Sequence, residues 1–248
     1  MFSPLWLAVG AVVGAAAGPV VRAAIFSFSV PAEADWRLVC LKCDSPLVGS
    51  GGRLFVSALR PSGRCPKCRA RVGPPAAVVE LSCAASVGLI AGFLGPHPAT
   101  LALAWAALAG VALAFVDVTV HRLPDRLVAT GLAGTLVLLA IATAGGAPPH
   151  RLLTAVLCAV AIGAFYLVIV FVSPRGMGLG DAKLAVLTGL VTGWFGAWAA
   201  VYGVLLGMII AGIVGIALLA ARRITRRDSI AYGPFMLLGA LAAILIIG

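Results

Sequence analysis

Apolar positions along this chain do not alternate with polar ones at a strand or helix period; they come in long unbroken blocks. "LALAWAALAGVALAFV" (101–116) and "AWAAVYGVLLGMIIAGIVGIALLA" (197–220) contain no charged residue. About 20 such residues let a helix cross the hydrocarbon core of a bilayer with its backbone hydrogen bonds satisfied internally. The blocks predict eight spans, near 4–29, 76–95, 98–116, 126–145, 151–173, 182–196, 197–221 and 231–248. The sixth and seventh form one apolar run, divided here at Gly193-Trp194-Phe195-Gly196. Glycine and an interfacial tryptophan suit a tight turn at the membrane surface. The first span has neither the basic n-region nor the small-x-small cleavage site of a signal peptide and is read as a retained helix.

Composition agrees with the pattern. Of 248 residues, 62% are hydrophobic and only 10% charged, with mean hydropathy +1.13; a soluble domain carries about a quarter charged residues. The expected fold is therefore an all-α polytopic membrane protein of about eight transmembrane helices. The net charge of +10 would suit nucleic acid, but its distribution does not. Lysine and arginine gather in 31–75, at Arg122 and Arg126, at Arg175 and Lys183, and in 222–227; only Arg22 and Arg151 lie elsewhere. With eight spans these segments all fall on one face, which the positive-inside rule places in the cytoplasm, with both termini outside. Topology and contact with anionic lipid headgroups account for the basicity, and nucleic acid is not an expected partner.

The one long polar stretch, 31–75, contains "CLKC" (Cys40, Cys43) and "CPKC" (Cys65, Cys68), with 21 residues between the pairs. Two CxxC turns at this separation suit a tetrahedral four-thiolate zinc site. So short a segment cannot build a sufficient core, and a metal would supply folding energy. Disulfides or a redox CxxC are the alternative; a cytoplasmic location and the lack of a βαβ pattern argue against them. Cys83 and Cys158 fall in predicted spans and read as core packing. The division is 1–30, a first transmembrane helix; 31–75, the four-cysteine segment; and 76–248, a seven-helix membrane domain.

Only eight residues are acidic. Glu33, Asp35, Asp44 and Asp228 lie in polar loops. Asp125, after Pro124, is placed to N-cap the fourth span. Glu80 lies about one turn inside the second span, either paired with a buried arginine or functional. Asp117 ends the third span and Asp181 begins the sixth, both at the cytoplasmic face. Two carboxylates at one depth meet the requirement of an aspartyl protease dyad, in which a shared proton makes one an acid and the other a base. Equally, each could merely terminate a helix at the interface. That reading suits Asp181, near a helix N-terminus, better than Asp117, whose charge opposes the dipole. Gly176, Gly178 and Gly180 precede Asp181 and allow close backbone approach or unusual dihedrals.

These residues resemble the bacterial type IV prepilin peptidases, relatives of the GxGD-type intramembrane aspartyl proteases. "GLGDAKL" (178–184) is similar to the family's GxGD motif, and "FVDVTVHRLPD" (115–125) to its aspartate and Leu-Pro-Asp motif, with the leading aspartates 64 residues apart. "AYGPFMLLGA" (231–240) resembles its terminal signature, and "ALRPSGRCPKC" followed by "VVEL" (78–81) resembles its zinc-hairpin exit. The run "GAAAGPVVRAAIFSFSVP" (14–31) departs from the family's pattern, with Arg22 only loosely placed.

The resemblance implies a peptidase domain at 76–248 in the bacterial inner membrane. It would cleave the basic leader of prepilins or pseudopilins after a glycine at the cytoplasmic face. Asp117 and Asp181 would be catalytic, and Gly178, Gly180, Lys183, Asp125 and Glu80 would support the site or bind substrate. Cys40, Cys43, Cys65 and Cys68 would hold Zn2+. Many members also methylate the new N-terminus from S-adenosylmethionine, although no glycine-rich nucleotide loop follows a strand here. Two readings from other classes remain: a proton- or cation-coupled transporter using the same aspartates, and a zinc-bearing scaffold without catalysis. The sequence leaves the oligomeric state and the choice of substrate open.

Overall fold

The computed structural model describes residues 2–30, 37–47, 62–75, 77–173, 177–225 and 230–247. Glu33, Asp35, Arg175, Gly176 and Asp228 lie outside the described residues. Eight helices follow in order: α1 (Pro4–Phe28), α2 (Val78–Leu94), α3 (Pro98–Val120), α4 (Asp125–Ala144), α5 (Pro149–Val172), α6 (Leu179–Gly193), α7 (Ala197–Ala220) and α8 (Gly233–Ile247). Among the described residues no strand forms, and all eight expected helices are present. Five of them, α1, α3, α4, α5 and α7, are long and apolar enough to cross a membrane, while α2 and α8 are shorter apolar helices. The chain is a multi-pass membrane protein. Two boundaries matter for the chemistry. The third helix runs on to Val120, so Asp117 lies inside its last turn, and the sixth starts at Leu179, so Asp181 lies inside its first.

The chain forms two compact units, Met1–Val120 and His121–Gly248. In the first, α1 and α2 meet backbone to backbone along Gly10, Gly14 and Gly18. A Cβ at Gly14 would fall 2.3 Å from the Cys83 carbonyl oxygen, and one at Gly18 would fall 2.7 Å from Glu80 Cγ. Small residues every fourth position are how membrane helices approach closely when lipid removes the hydrophobic drive between them. Cys83 is fully buried here, in the packing role expected of it. The α3 face of Ala99, Ala102, Leu103, Ala106, Leu113 and Val116 is buried at helical spacing. Its last turn meets the end of α1, where the Ser29 and Thr119 hydroxyls lie 3.1 Å apart.

In the second unit α6 is central, packed against α4, α5, α7 and α8, and ten of its 15 residues are buried. It needs little exposed apolar surface of its own because its neighbours cover it. Peripheral α7 buries only Ala199, Ala200, Gly203 and Gly207, while Ile209, Ile213 and Ile216 face outward, as a lipid-facing helix requires. The turn between α6 and α7 falls at Trp194–Gly196 as expected, with Gly196 at φ +119°. Its tryptophan, however, is covered by protein. Trp194 is 1% exposed and belongs to the core, whereas Trp198 is 73% exposed.

Candidate functional site

Each cysteine pair sits in a tight turn closed by an isolated antiparallel bridge, Val39 with Pro46 and Arg64 with Arg71. The two turns repeat one another at an offset of 25 residues. Cys40 N–H donates to Ser45 O and Asp44 N–H to Cys40 O; likewise Cys65 N–H donates to Ala70 O and Arg69 N–H to Cys65 O. Asp44 and Arg69 take the same left-handed conformation, φ 51° and 56°, which turns the chain back after each second cysteine. The module rests on α1 through Ala23 and Phe26, in one cluster with Cys40, Leu47, Cys65 and Val72.

All four cysteines are free thiols, and their sulfurs lie within 4.8 Å of one another. Sγ of Cys40 and Cys68 are 3.7 Å apart, as are those of Cys43 and Cys65. Four sulfurs at about 2.3 Å from a tetrahedral ion are separated by about 3.8 Å; the arrangement therefore fits a metal and is far too open for disulfides. The Ser45 hydroxyl lies 3.1 Å from Cys43 Sγ and 3.4 Å from Cys65 Sγ. The Cys68 N–H, then that hydroxyl, bring the Cys65 thiol down to about 6, and Ser45 likewise lowers Cys43. At Cys68 the Ala70 N–H pulls down, but burial and the neighbouring sulfurs outweigh it and raise the thiol to about 11.

The same unit holds a buried ion pair that sequence reasoning left unassigned. Arg22 is fully buried. Its Nε donates to Glu80 Oε1 at 2.9 Å and its Nη2 to Glu80 Oε2 at 2.6 Å, while Nη1 and Nη2 reach the carbonyls of Pro74 and Pro75 at 2.9 and 3.1 Å. Of the two readings of Glu80, the structure gives pairing with a buried arginine. In the fold the Arg22 fork joins α1, α2 and the exit from the second cysteine turn. The "RAAIFSF" run offered no signal beyond an arginine inside an apolar span. In this unit Asp117 is 6% exposed, one turn from the end of α3, at the helix end marked by the Ser29–Thr119 contact. A carboxylate there sits against the helix dipole.

In the second unit Asp181 is the third residue of α6. Its Oδ2 accepts from the Gly178 N–H at 3.0 Å, and its own N–H donates to Gly178 O at 3.1 Å. The capping role is thus real. It also fixes the side chain at the mouth of the helix. Of the two uses expected of these glycines, Gly180 shows the close approach, and neither described glycine shows an unusual dihedral. Gly178 is extended, φ −87°, and Gly180 is helical, so neither needs a dihedral reserved for glycine. At Gly180 the space is already filled: a Cβ there would fall 3.0 Å from Leu123 Cβ. Gly180 seats the Leu123-Pro124-Asp125 turn against the Asp181 turn.

Asp125 is not the N-cap of α4. Pro124 occupies that position and no side chain caps the helix, because the carboxylate of Asp125 is drawn away to Lys183, with Nζ to Oδ1 at 2.5 Å. The structure thus brings Gly178, Gly180, Asp181, Lys183 and Asp125 together, sets Glu80 with Arg22, and groups the four cysteines.

An all-helical membrane protein with a four-thiolate module, one acid buried in the last turn of a helix and another capping the first turn of a second helix defines a recognisable class. The model of the type IV leader peptidase family matches residues 101–220, a span that includes both Asp117 and Asp181. A prepilin leader peptidase/N-methyltransferase of Aeromonas salmonicida is 31% identical over 219 residues, 84% of this chain and 71% of the relative. Proteins of the same name from Pseudomonas aeruginosa and Stutzerimonas stutzeri are 28% identical over 233 residues (87% of the chain, 75% of the relative) and 27% over 210 residues (83% and 70%). No solved structure matches the chain. The chain belongs to the type IV leader peptidase family.

Proposed function

We propose that this protein is an aspartyl endopeptidase of the bacterial inner membrane that removes the basic leader of prepilins or pseudopilins. It cuts after a glycine at the cytoplasmic membrane face, with Asp117 and Asp181 as the catalytic pair. The observation that carries this reading is the family match across 101–220, with its two candidate acids at helix ends, Asp117 buried against the dipole and Asp181 held by a backbone cap. The two carboxylates share one proton. The ionised one takes a proton from water, whose oxygen attacks the scissile carbonyl; the protonated one donates to the carbonyl oxygen. Collapse breaks the C–N bond, and the new amine leaves with a proton. Gly180 and Leu123 hold the Asp181 turn, and the exposed Lys183–Asp125 pair braces its rim.

The four-cysteine module is read as a structural zinc site. Cys40, Cys43, Cys65 and Cys68 would hold the ion, which would supply the folding energy that so small a module lacks. The basic substrate leader and apolar helix would meet lipid headgroups and the spans. The relatives' names add N-methyltransferase; for this chain, transfer of a methyl from S-adenosylmethionine to the new N-terminus is a second outcome of one assay. A prepilin with a basic leader ending in Gly-Phe is incubated with the protein in liposomes, with and without S-adenosylmethionine, and the product weighed by mass spectrometry. A cut after that glycine supports the peptidase, and one further methyl adds the transferase. Uncut substrate, with the protein verified as folded, would overturn the reading.

A further inference from the structure

The hydroxyls of Tyr166, on α5, and Tyr232, just ahead of α8, lie 3.0 Å apart, and their rings are 6.1 Å apart at 37°. Tyr166 carries no motif, and Tyr232 is read only as part of the "AYGPFMLLGA" run (231–240). Tyr166 is 1% exposed and lines a small cavity with Thr188, Thr192 and Met236, so its phenol cannot rely on bulk water. The helix register shows where the pair stands. Antiparallel α5 and α6 touch at Ala155 with Gly193, Ala159 with Gly189, and Gly163 with Val186. One more turn along this seam places Tyr166 level with Ala182 and Lys183, immediately after Asp181. Both phenols are within electrostatic reach of the Asp181 carboxylate. Two hydroxyls joined by one hydrogen bond use one of their two protons between them. The second O–H is left to donate to another acceptor.

We infer that the Tyr166–Tyr232 hydroxyl pair positions Asp181, steadying its carboxylate from the interior of the bundle while the Gly178 cap holds it from outside. Tyr166 and Tyr232 are positioning residues that act through Asp181, and the inference rests on Asp181 being catalytic. Besides Asp117, its proposed partner, the ionisable groups near this turn among the described residues are Lys183 on α6 and Asp125, Arg122 and Arg126 at the start of α4. Lys183 and Asp125 are already paired with each other. Of α7, only Tyr202 is ionisable, near the opposite end of α6.

The test is the pH profile of leader cleavage by full-length wild type, Tyr166→Phe, Tyr232→Phe and Asp181→Asn in liposomes. A carboxylate that loses a hydroxyl donor is harder to ionise. Each tyrosine variant is therefore expected to keep cleaving, with the acidic limb of its profile moved up by about half to one pH unit. Should buried Tyr166→Phe fail to fold, half-buried Tyr232→Phe decides alone. A Tyr232→Phe profile that superimposes on wild type, or falls by the same factor at every pH, would overturn the inference while Asp181→Asn remains inactive. Cleavage by Asp181→Asn would instead overturn the reading beneath it.

Discussion

Arg22–Glu80 and Lys183–Asp125 are the same pairing of a base with a carboxylate in opposite surroundings. The first is enclosed, with side-chain exposures of 0% and 11%, and the second open, with 48% and 76%. Enclosure removes water from both charges, a cost met only because the guanidinium also bonds two proline carbonyls and engages the carboxylate through a planar fork. Such a pair is costly to break and fixes geometry, here welding the exit of the cysteine module to two helices. The exposed pair gains little, because solvent screens it and two long side chains lose freedom. The candidate catalytic turn therefore takes its shape from the backbone cap and from Leu123 seated on Gly180, with its ion pair as a brace.

The largest effect is expected from Glu80→Ala, which strands a buried guanidinium. It should cost about 3–5 kcal/mol, read as a lower unfolding midpoint in detergent; an unchanged midpoint would dissolve the contrast between the pairs. Next is Gly14→Ala, whose Cβ would fall 2.3 Å from a backbone oxygen of α2. It should cost about 1–3 kcal/mol through strain by the same measurement. Gly180→Ala should leave the midpoint near wild type but lower cleavage about tenfold, since small displacements of a reacting group are costly. Gly178→Ala should do neither, its nearest atom being 3.8 Å away; equal effects at the two glycines would contradict the packing role given to Gly180. The smallest is Asp125→Asn, expected to cost less than about 1 kcal/mol, with wild type approaching the variant as salt rises.

Much of this was legible along the chain, and the exceptions have physical reasons. Unbroken apolar blocks announce helices, and two CxxC pairs announce a four-thiolate cluster, because each pattern has one dominant solution. Arg22 was opaque because its partners, Glu80 and the Pro74 and Pro75 carbonyls, are remote in sequence and two of them are backbone. The role of Gly180 was only half legible for a related reason: the glycine speaks of close approach, but only the fold shows that Leu123 is what approaches. Trp194 is buried by neighbours that the local sequence does not name. Asp125 missed its cap because a lysine 58 residues away competes for the carboxylate. Tyr166 gave no signal, for an aromatic within an apolar span reads as packing, and the run holding Tyr232 did not say which hydroxyl it meets.

The central claim is that Asp117 and Asp181 act as one unit. The direct measurement is the rate of prepilin cleavage by Asp117→Asn, Asp181→Asn and the double variant, each verified as folded and inserted. Residues that share one proton are strongly non-additive. The account predicts that each single variant falls to the same floor as the double. Substantial cleavage by either single variant, or a double variant losing the product of two separate partial factors, would contradict it.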